Sequence, residues 1–179
     1  LDIFPDMHGV VGNQEILSVK NLSYDHDVYF IALPHGESLN FIPKLYAEDK
    51  KVIDLGGDFR LDSVDLYSEW YGYEHYYPQL LTKKVYGLAD YDQHKIHSQR
   101  LIANPGCYPT SVLLSTLPIA SEMSDNIISV SAVSYSGTSG AGKSAKTHLL
   151  LSEMDGNAKA YNVNKHRHQP EILQQLKKT

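Results

Sequence analysis

Short apolar segments that alternate with amphipathic segments constrain the fold of this 179-residue chain more than any other feature. Residues 28–33 form a continuous apolar run of the kind that is buried on both faces of a parallel sheet, and residues 51–55 and 100–103 are similar. Residues 38–48 and 91–99 have helical patterns. Strand, helix and strand at this spacing predict βαβ units, so the expected fold class is α/β with a parallel sheet.

The loops that leave these strands, at residues 34–36, 57–60 and 104–107, carry many polar side chains. Ligands of parallel α/β sheets bind outside the carboxyl ends of the strands, so the loops are expected to form one crevice. Cys107 is the single cysteine of the chain, and it lies between a Pro-Gly turn and a predicted helix. Backbone N–H groups and the helix dipole at such a position favour a thiolate, which makes Cys107 a candidate nucleophile. The alternative is a small, buried apolar residue.

Composition narrows the classes of function. The formal net charge of −5 argues against binding to nucleic acids or to anionic membranes. One cysteine excludes an internal disulfide framework and a cysteine-based zinc site. It is typical of a reducing compartment, so a cytoplasmic location is expected. No apolar run reaches about 18 residues, and the sequence therefore predicts no membrane span.

Residues 137–144 match the P-loop pattern G-x-x-x-x-G-K-[ST], with a predicted strand over 127–135 before them and a predicted helix over 145–154 after them. In a P-loop, Lys143 would bind the β- and γ-phosphates of a nucleotide. Against this interpretation, the motif lies late in the chain, no apolar strand with a terminal acidic residue follows it, and it leaves Cys107 unexplained. A glycine-rich loop beside an anion is nevertheless physically sensible.

Two histidines, His166 and His168, lie at the start of a predicted C-terminal helix. Metal ligation is one interpretation, but the chain lacks thiolate partners and the HExxH spacing, so no metal is expected. A second interpretation is that both histidines are solvated surface residues. In the third, one histidine is the general acid/base partner of Cys107, because a cysteine nucleophile needs a proton acceptor within hydrogen-bond reach. The cations of Arg167, Lys165 and Arg60 suit an anionic substrate.

Residues 104–110, Asn-Pro-Gly-Cys-Tyr-Pro-Thr, resemble the active-site signature of the N-acetyl-γ-glutamyl-phosphate reductase family of arginine biosynthesis. Further segments resemble the same family in the same order, namely residues 31–36, 52–55 with 58–61, 139–142, and 166–168 with 170–171. The five ordered matches make the resemblance specific and extend it over nearly all of the chain. Two departures are the glycine pair at 56–57, where Ser-Ala is common, and Lys143, where arginine is common.

The resemblance implies an NADP(H)-dependent reductase that is related to aspartate-semialdehyde dehydrogenase and forms a homo-oligomer, either a dimer or a tetramer. We expect an incomplete Rossmann-type parallel sheet domain over residues 1–110 and part of an α+β catalytic and dimerisation domain over 111–179. No G-x-x-G-x-x-G loop precedes residue 28, and the family continues past residue 179, so the chain is expected to be the middle of the enzyme. A catalytically incomplete fragment is one alternative. A paralogue that acts on aminoadipate phosphate or aspartyl phosphate is another.

The implied reaction reduces N-acetyl-γ-glutamyl phosphate, a small acyl phosphate, to N-acetylglutamate semialdehyde through a thioester on Cys107. His168 or His166 would be the acid/base. The resemblance assigns substrate binding to Arg60, Asn104, Tyr161, Arg167 and Glu171. It assigns cofactor binding to Pro34, His35, Gly36, Ser139, Gly140 and Gly142. For His35 and Glu171 the alternative is a structural role, as a strand-end contact and a helix-start charge respectively.

Overall fold

A parallel sheet forms the centre of the fold in the computed structural model, which describes residues 9–10, 16–142 and 144–178. The strands in these ranges are β1 (Val28–Ile31), β2 (Lys51–Asp54), β3 (Val85–Tyr86) and β4 (Leu101–Ala103). Their order is β1-β2-β4-β3, and every pair of neighbours is parallel. The α/β prediction is therefore confirmed, and the strands predicted from the apolar runs exist with slightly shorter bounds.

Helices connect and cover the strands. They are α1 (Ile42–Ala47), α2 (Val64–Tyr71), α3 (Pro78–Leu81), α4 (Ala89–Ile96), α5 (Cys107–Met123), α6 (Leu151–Met154) and α7 (His168–Leu176). The helix predicted over 38–48 is instead a 3-10 turn, Glu37–Asn40, followed by α1. Pro43 explains the break, because it has no N–H to donate and is tolerated only in the first turn of an α-helix. Within the described ranges, no helix combines the length and the apolar character that a membrane crossing requires.

The main core lies between the sheet and the first two helices. A cluster of buried side chains joins Tyr29, Val52 and Leu101 of the sheet to Leu45 of α1 and Tyr67 of α2. All of these except Tyr29 are fully buried. Removing this apolar surface from water stabilises the strands whose carboxyl ends carry the polar loops.

A second, smaller core attaches α7 to the rest of the molecule. Leu113 and Leu117 of α5 pack with Tyr86 of β3, and Ile172 and Leu176 of α7 cover them. Because α5 begins at the cysteine and α7 begins at His168, this packing brings the two helix starts to the same end of the sheet.

The strand predicted over residues 127–135 is wrong, because these residues form no regular structure. The side chains of Ile128, Val133 and Tyr135 are 101%, 83% and 83% exposed. A strand requires a neighbour that pairs with its N–H and C=O groups, and no segment in the described part of the chain does so. The helix predicted over 145–154 forms only in part, as a 3-10 turn, Thr147–Leu149, followed by α6.

The predicted boundary between residues 110 and 111 falls inside α5. The division of the chain into a nucleotide-binding domain before this point and a catalytic domain after it stays a prediction.

Candidate active site

The loops that follow β1, β2 and β4 meet at one edge of the sheet, because these three strands are adjacent and parallel. Arg60 joins two of the loops: its Nε donates to Asn104 O at 2.8 Å, and its Nη2 donates to Leu55 O at 3.0 Å. The Arg60 side chain is 7% exposed, so most of the guanidinium is committed to backbone carbonyls. The predicted convergence of the strand-end loops is thus confirmed.

Asp58, which is fully buried, fixes the loop after β1. Both of its carboxylate oxygens accept the Gly36 N–H at 2.9 Å, and the hydroxyls of Ser38 and Tyr73 donate to them at 2.5 and 2.6 Å. Gly36 has a φ of 86°, in the left-handed region that favours glycine. Asp58 was not predicted as a site residue, although its position in the same strand-end loop as Arg60 was an available signal.

Cys107 is the first residue of α5, and its side chain is exposed. The alternative of a buried apolar cysteine is therefore wrong. The N–H and the hydroxyl of Thr110 both donate to Gly106 O at 2.9 Å, which satisfies the carbonyl of the turn before the cysteine. The thiol is therefore exposed at the start of a helix, where a substrate can approach it.

Glu171, on α7, is hydrogen-bonded to the backbone of the turn before Cys107. Its Oε1 accepts the Gly106 N–H at 2.9 Å and the Tyr86 hydroxyl at 2.7 Å, and its Oε2 lies 3.9 Å from Nη1 of Arg60. The residue is fully buried. Burial raises the pKa of Glu171, and Arg60 and the two hydrogen-bond donors oppose that rise. The predicted contact between Glu171 and the substrate stays a prediction. In the structure the carboxylate contacts Gly106, Tyr86 and Arg60 of the protein itself.

His168, the first residue of α7, packs its ring against Gly106. An added Cβ at Gly106 would lie 2.5 Å from Nε2 of His168, so only glycine leaves room for this imidazole. Burial, together with the nearby charges of His166, Arg60 and Arg167, lowers the pKa of His168 to about 3. At neutral pH the ring next to the cysteine turn is therefore uncharged.

His166 has both ring nitrogens engaged within the protein. Its Nδ1 accepts the His168 N–H at 3.1 Å, and its Nε2 lies 3.2 Å from the Tyr161 hydroxyl. Tyr161 in turn donates to the Tyr108 hydroxyl at 2.9 Å. Because Nδ1 accepts a hydrogen bond, the proton of the neutral imidazole is on Nε2 and is donated to Tyr161. Burial and then the charge of Arg167 lower the pKa of His166, which favours this neutral form.

His35 lies over the end of β2, close to Gly57 and Tyr71. An added Cβ at Gly57 would be 2.8 Å from Nδ1 of His35, whose ring meets Tyr71 edge-on with the centroids 5.1 Å apart. The Arg167 guanidinium lies 5.6 Å from the centroid of the Tyr71 ring. Burial and then the charge of Arg167 lower the pKa of His35. The imidazole and the phenol thus lie over a backbone position without a side chain, and the guanidinium lies next to the phenol.

The structure does not bring all of the predicted residues together. Ser139, Gly140 and Gly142 lie in or directly after an exposed 3-10 turn, Thr138–Ala141. Among the described residues, no hydrogen bond or ring contact links this turn to the strand-end loops. The cofactor roles of the three residues stay predictions, and Lys143 lies outside the described residues.

Three phenols of the site were not predicted to have contacts there: Tyr71, Tyr86 and Tyr108. Tyr108 follows the cysteine within the 104–110 segment, so a signal was available for it. Tyr86 and Tyr71 reach the site from β3 and α2. No local sequence pattern predicts their contacts with the site. The hydrogen-bond partner of Tyr86, for example, is 85 residues away in the sequence.

Comparison with protein families gives two matches that together cover most of the chain. Residues 5–99 match the family described as "Semialdehyde dehydrogenase, NAD binding domain". Residues 107–179 match the family described as "Semialdehyde dehydrogenase, dimerisation domain". The first match alone spans more than half of the 179 residues.

Curated relatives carry the name N-acetyl-gamma-glutamyl-phosphate reductase. The one from Heliobacterium modesticaldum is 41% identical over 182 residues, which cover 98% of this chain and 50% of the relative. The one from Acidithiobacillus ferrooxidans is 48% identical over 149 residues, which cover 82% of this chain and 42% of the relative. The one from Desulfotalea psychrophila is 43% identical over 179 residues, which cover 99% of this chain and 51% of the relative. The chain thus spans about half the length of the curated relatives that it matches.

Proposed function

The chain belongs to the semialdehyde dehydrogenase family, and we propose that the protein reduces N-acetyl-γ-glutamyl phosphate to N-acetylglutamate semialdehyde with NADPH. The observation that carries the proposal is the exposed Cys107 at the start of α5, with a neutral His168 packed against the preceding Gly106. Relatives that are named for this reaction and are 41–48% identical support the choice of substrate.

The Cys107 thiolate attacks the γ-acyl carbon of the substrate. A C–S bond forms, the C–O bond to the phosphate breaks, and phosphate leaves with the bonding electron pair. Backbone N–H groups at the start of α5 stabilise the carbonyl oxygen while it carries negative charge. NADPH, when bound, supplies a hydride to the carbon of the thioester. The resulting thiohemiacetal releases the aldehyde when its C–S bond breaks and Cys107 leaves as a thiolate.

His168 is our choice for the acid/base. Its neutral ring accepts the proton of the Cys107 thiol and returns it to the departing phosphate, and it exchanges the hydroxyl proton of the thiohemiacetal. One positioned acid/base of this kind is worth about 10²–10⁴-fold in rate. His166 is less suited, because its Nδ1 accepts a backbone N–H and its Nε2 is bonded to Tyr161. We assign His166 to holding the hydroxyls of Tyr161 and Tyr108 in place.

The anionic groups of the substrate require cations and neutral donors near Cys107. Arg167 is exposed, and we assign its guanidinium to the phosphate or carboxylate of the substrate. Arg60 is buried and bonded to the carbonyl oxygen of Asn104, so in our proposal it supports the anion site mainly through its charge. Asn104 and Tyr161 complete the proposed set, as polar groups at the same edge of the sheet.

We assign the dinucleotide to the loop after β1, which contains Pro34, His35 and Gly36 and places the His35 ring against the side-chain-free Gly57. Ser139, Gly140 and Gly142 are proposed to contact the nicotinamide part. NADP(H) rather than NAD(H) follows from the resemblance of the motifs to the reductases. We further propose a cytoplasmic homo-oligomer, supported by the match of residues 107–179 to a dimerisation domain and by the exposed apolar side chains of residues 127–135.

Replacement of Cys107 by serine in the protein tests this function. The phosphate-dependent oxidation of N-acetylglutamate semialdehyde is measured with NADP⁺, and NADPH binding is measured by fluorescence. We expect turnover to be lost while NADPH binding persists, and we expect the matched variant Ser115→Ala, on an exposed position of the same helix, to keep normal turnover. Normal turnover of Cys107→Ser would contradict the mechanism.

The two alternatives are separated by further assays. Kinetics on the N-acetylglutamyl, aminoadipate and aspartyl phosphates, measured side by side, identify the preferred acyl group. A higher kcat/KM for either of the last two would contradict our choice of substrate. A polypeptide of these 179 residues, assayed beside one with the full length of the relatives, tests whether the chain is catalytically incomplete alone.

A further inference from the structure

Three polar atoms where α7 meets the strand-end loops are buried without a hydrogen-bond partner among the described residues. They are Oε2 of Glu171, Nδ1 of His168 and the hydroxyl of Tyr71. Buried polar atoms in native proteins are nearly always satisfied, either by protein groups or by ordered water. Three such atoms in one region point to a partner that they share.

The three side chains converge on one region. His168 and Glu171 are three residues apart on α7, so they lie on the same face of the helix. Both contact Gly106, since its N–H donates to Oε1 of Glu171 at 2.9 Å and an added Cβ would lie 2.5 Å from Nε2 of His168. Tyr71 lies beside the start of the same helix, because the guanidinium of Arg167, the residue before His168, is 5.6 Å from the centroid of its ring.

A single water molecule placed among the three atoms would satisfy all of them. It would accept hydrogen bonds from Nδ1–H of His168 and from the Tyr71 hydroxyl, and it would donate one to Oε2 of Glu171. Three hydrogen bonds are the usual number for a buried water. In this arrangement the imidazole keeps its proton on Nδ1, which leaves Nε2, the nitrogen beside Gly106, as the basic atom.

We infer that Glu171 is a positioning residue, whose carboxylate acts through a buried water shared with Tyr71 to keep the proton of His168 on Nδ1 and its Nε2 free to accept the Cys107 proton. The inference rests on the acid/base role proposed for His168. It gives the two oxygens of Glu171 different tasks. Oε1 holds the backbone of the cysteine turn, and Oε2 orients the base.

Charged and titratable groups from several elements surround this pair. Arg60, from the loop after β2, lies 3.9 Å from Oε2, the Tyr86 hydroxyl of β3 donates to Oε1, and Lys84 also acts on the carboxylate. The groups that act on the imidazole are His166, Arg167, Arg60 and His35. All of them are kept in a Glu171→Gln variant. That variant also keeps an oxygen for Gly106 and Tyr86, so it removes the Oε2 acceptor and the negative charge near Arg60 while the cysteine turn stays anchored.

The direct test is the tautomer of His168, read from ¹⁵N chemical shifts at neutral pH, with the resonance assigned by its absence in His168→Gln. We expect the Nδ1–H form in the unmodified protein. We expect a shift towards the Nε2–H form in Glu171→Gln, because the amide group donates where Oε2 accepted. Glu153→Gln, on an exposed position of α6, is the matched control and should leave the tautomer unchanged. An Nε2–H form in the unmodified protein, or the same tautomer in folded Glu171→Gln, would overturn the inference.

Alkylation of the single cysteine by iodoacetamide supplies a second readout. At neutral pH we expect the rate constant to fall at least about tenfold in Glu171→Gln, since a base with the wrong tautomer cannot accept the thiol proton. Tyr71→Phe removes one partner of the water and keeps the anchor of the turn, so it should lower the rate in the same direction. Unchanged alkylation in folded Tyr71→Phe and Glu171→Gln would refute the shared water.

The two proposals fail in different ways. If Cys107→Ser abolishes turnover while the His168 tautomer does not depend on Glu171, only the positioning role is refuted. If Cys107→Ser retains turnover, the proposed mechanism is refuted, whatever the tautomer measurement gives.

Discussion

Asp54, at the end of β2, makes the stability of this protein depend on pH. The residue is fully buried, its Oδ1 accepts the Gly56 N–H at 2.9 Å, and its Oδ2 has no hydrogen-bond partner in the described part of the chain. Burial is the main cause that raises the pKa of Asp54 from 3.8 to about 7, and nearby Asp58 adds to it while Arg60 and two backbone N–H groups oppose it.

The sign of the effect follows from the two pKa values. Below pH 3.8 the carboxyl is protonated in both the folded and the unfolded chain, and its full contribution to stability is present. Between pH 3.8 and about 7 the unfolded chain releases the proton and the folded chain keeps it, so the free energy of unfolding falls as the pH rises. Above about pH 7 both states are ionised, and the loss is complete.

The magnitude can be worked from the same values. A tenfold difference in proton affinity corresponds to about 1.4 kcal/mol, so pKa values of 3.8 and about 7 give a total loss of about 4 kcal/mol. About 1 kcal/mol of it is already lost at pH 4.5. Between pH 4.5 and pH 8.5 the unmodified protein should therefore lose about 3 kcal/mol that an Asp54→Asn variant does not lose.

The assay is urea unfolding of the unmodified protein and of Asp54→Asn at these two pH values, followed by circular dichroism. The quantity to compare is the change in stability between the two pH values, because the fixed cost of burying an amide cancels in it. Asp27→Asn, at an exposed position before β1, is the control and should follow the unmodified protein. Parallel pH profiles of Asp54→Asn and the unmodified protein would show that the pKa of Asp54 is not raised by folding.

Two further substitutions test the glycine turn and the buried carboxylate. Gly106→Ala puts a Cβ 2.5 Å from Nε2 of His168, so the ring must move. We expect the alkylation rate of Cys107 to fall about tenfold while far-UV circular dichroism stays the same. A normal rate would show that the ring contact is unimportant. Asp58→Asn puts an amide donor among the N–H and O–H groups that donate to this carboxylate, and we expect a loss of about 3 kcal/mol in urea unfolding. A loss below about 1 kcal/mol would mean that the loop after β1 does not depend on this residue.

The strands of the sheet could be predicted because their signal is local. The apolar run at 28–33 contains β1 (Val28–Ile31), and the run at 51–55 contains β2 (Lys51–Asp54). Once the strands are parallel, the convergence of their carboxyl-terminal loops follows from geometry alone. The run at 127–135 shows the limit of such a signal, because alternation of apolar residues does not reveal whether a neighbouring strand exists.

Sequence patterns were thus enough to predict the class of fold, the position of Cys107 at a helix start, and the group of residues at the strand ends. These depend on periodicity and on contacts between near neighbours in the chain. The partners of each polar group depend instead on how distant segments pack. The Glu171 carboxylate meets the N–H of Gly106, 65 residues away, and the hydroxyl of Tyr86, 85 residues away. Burial and long-range hydrogen bonds of this kind set the pKa values and tautomers, and they form only when distant segments pack together.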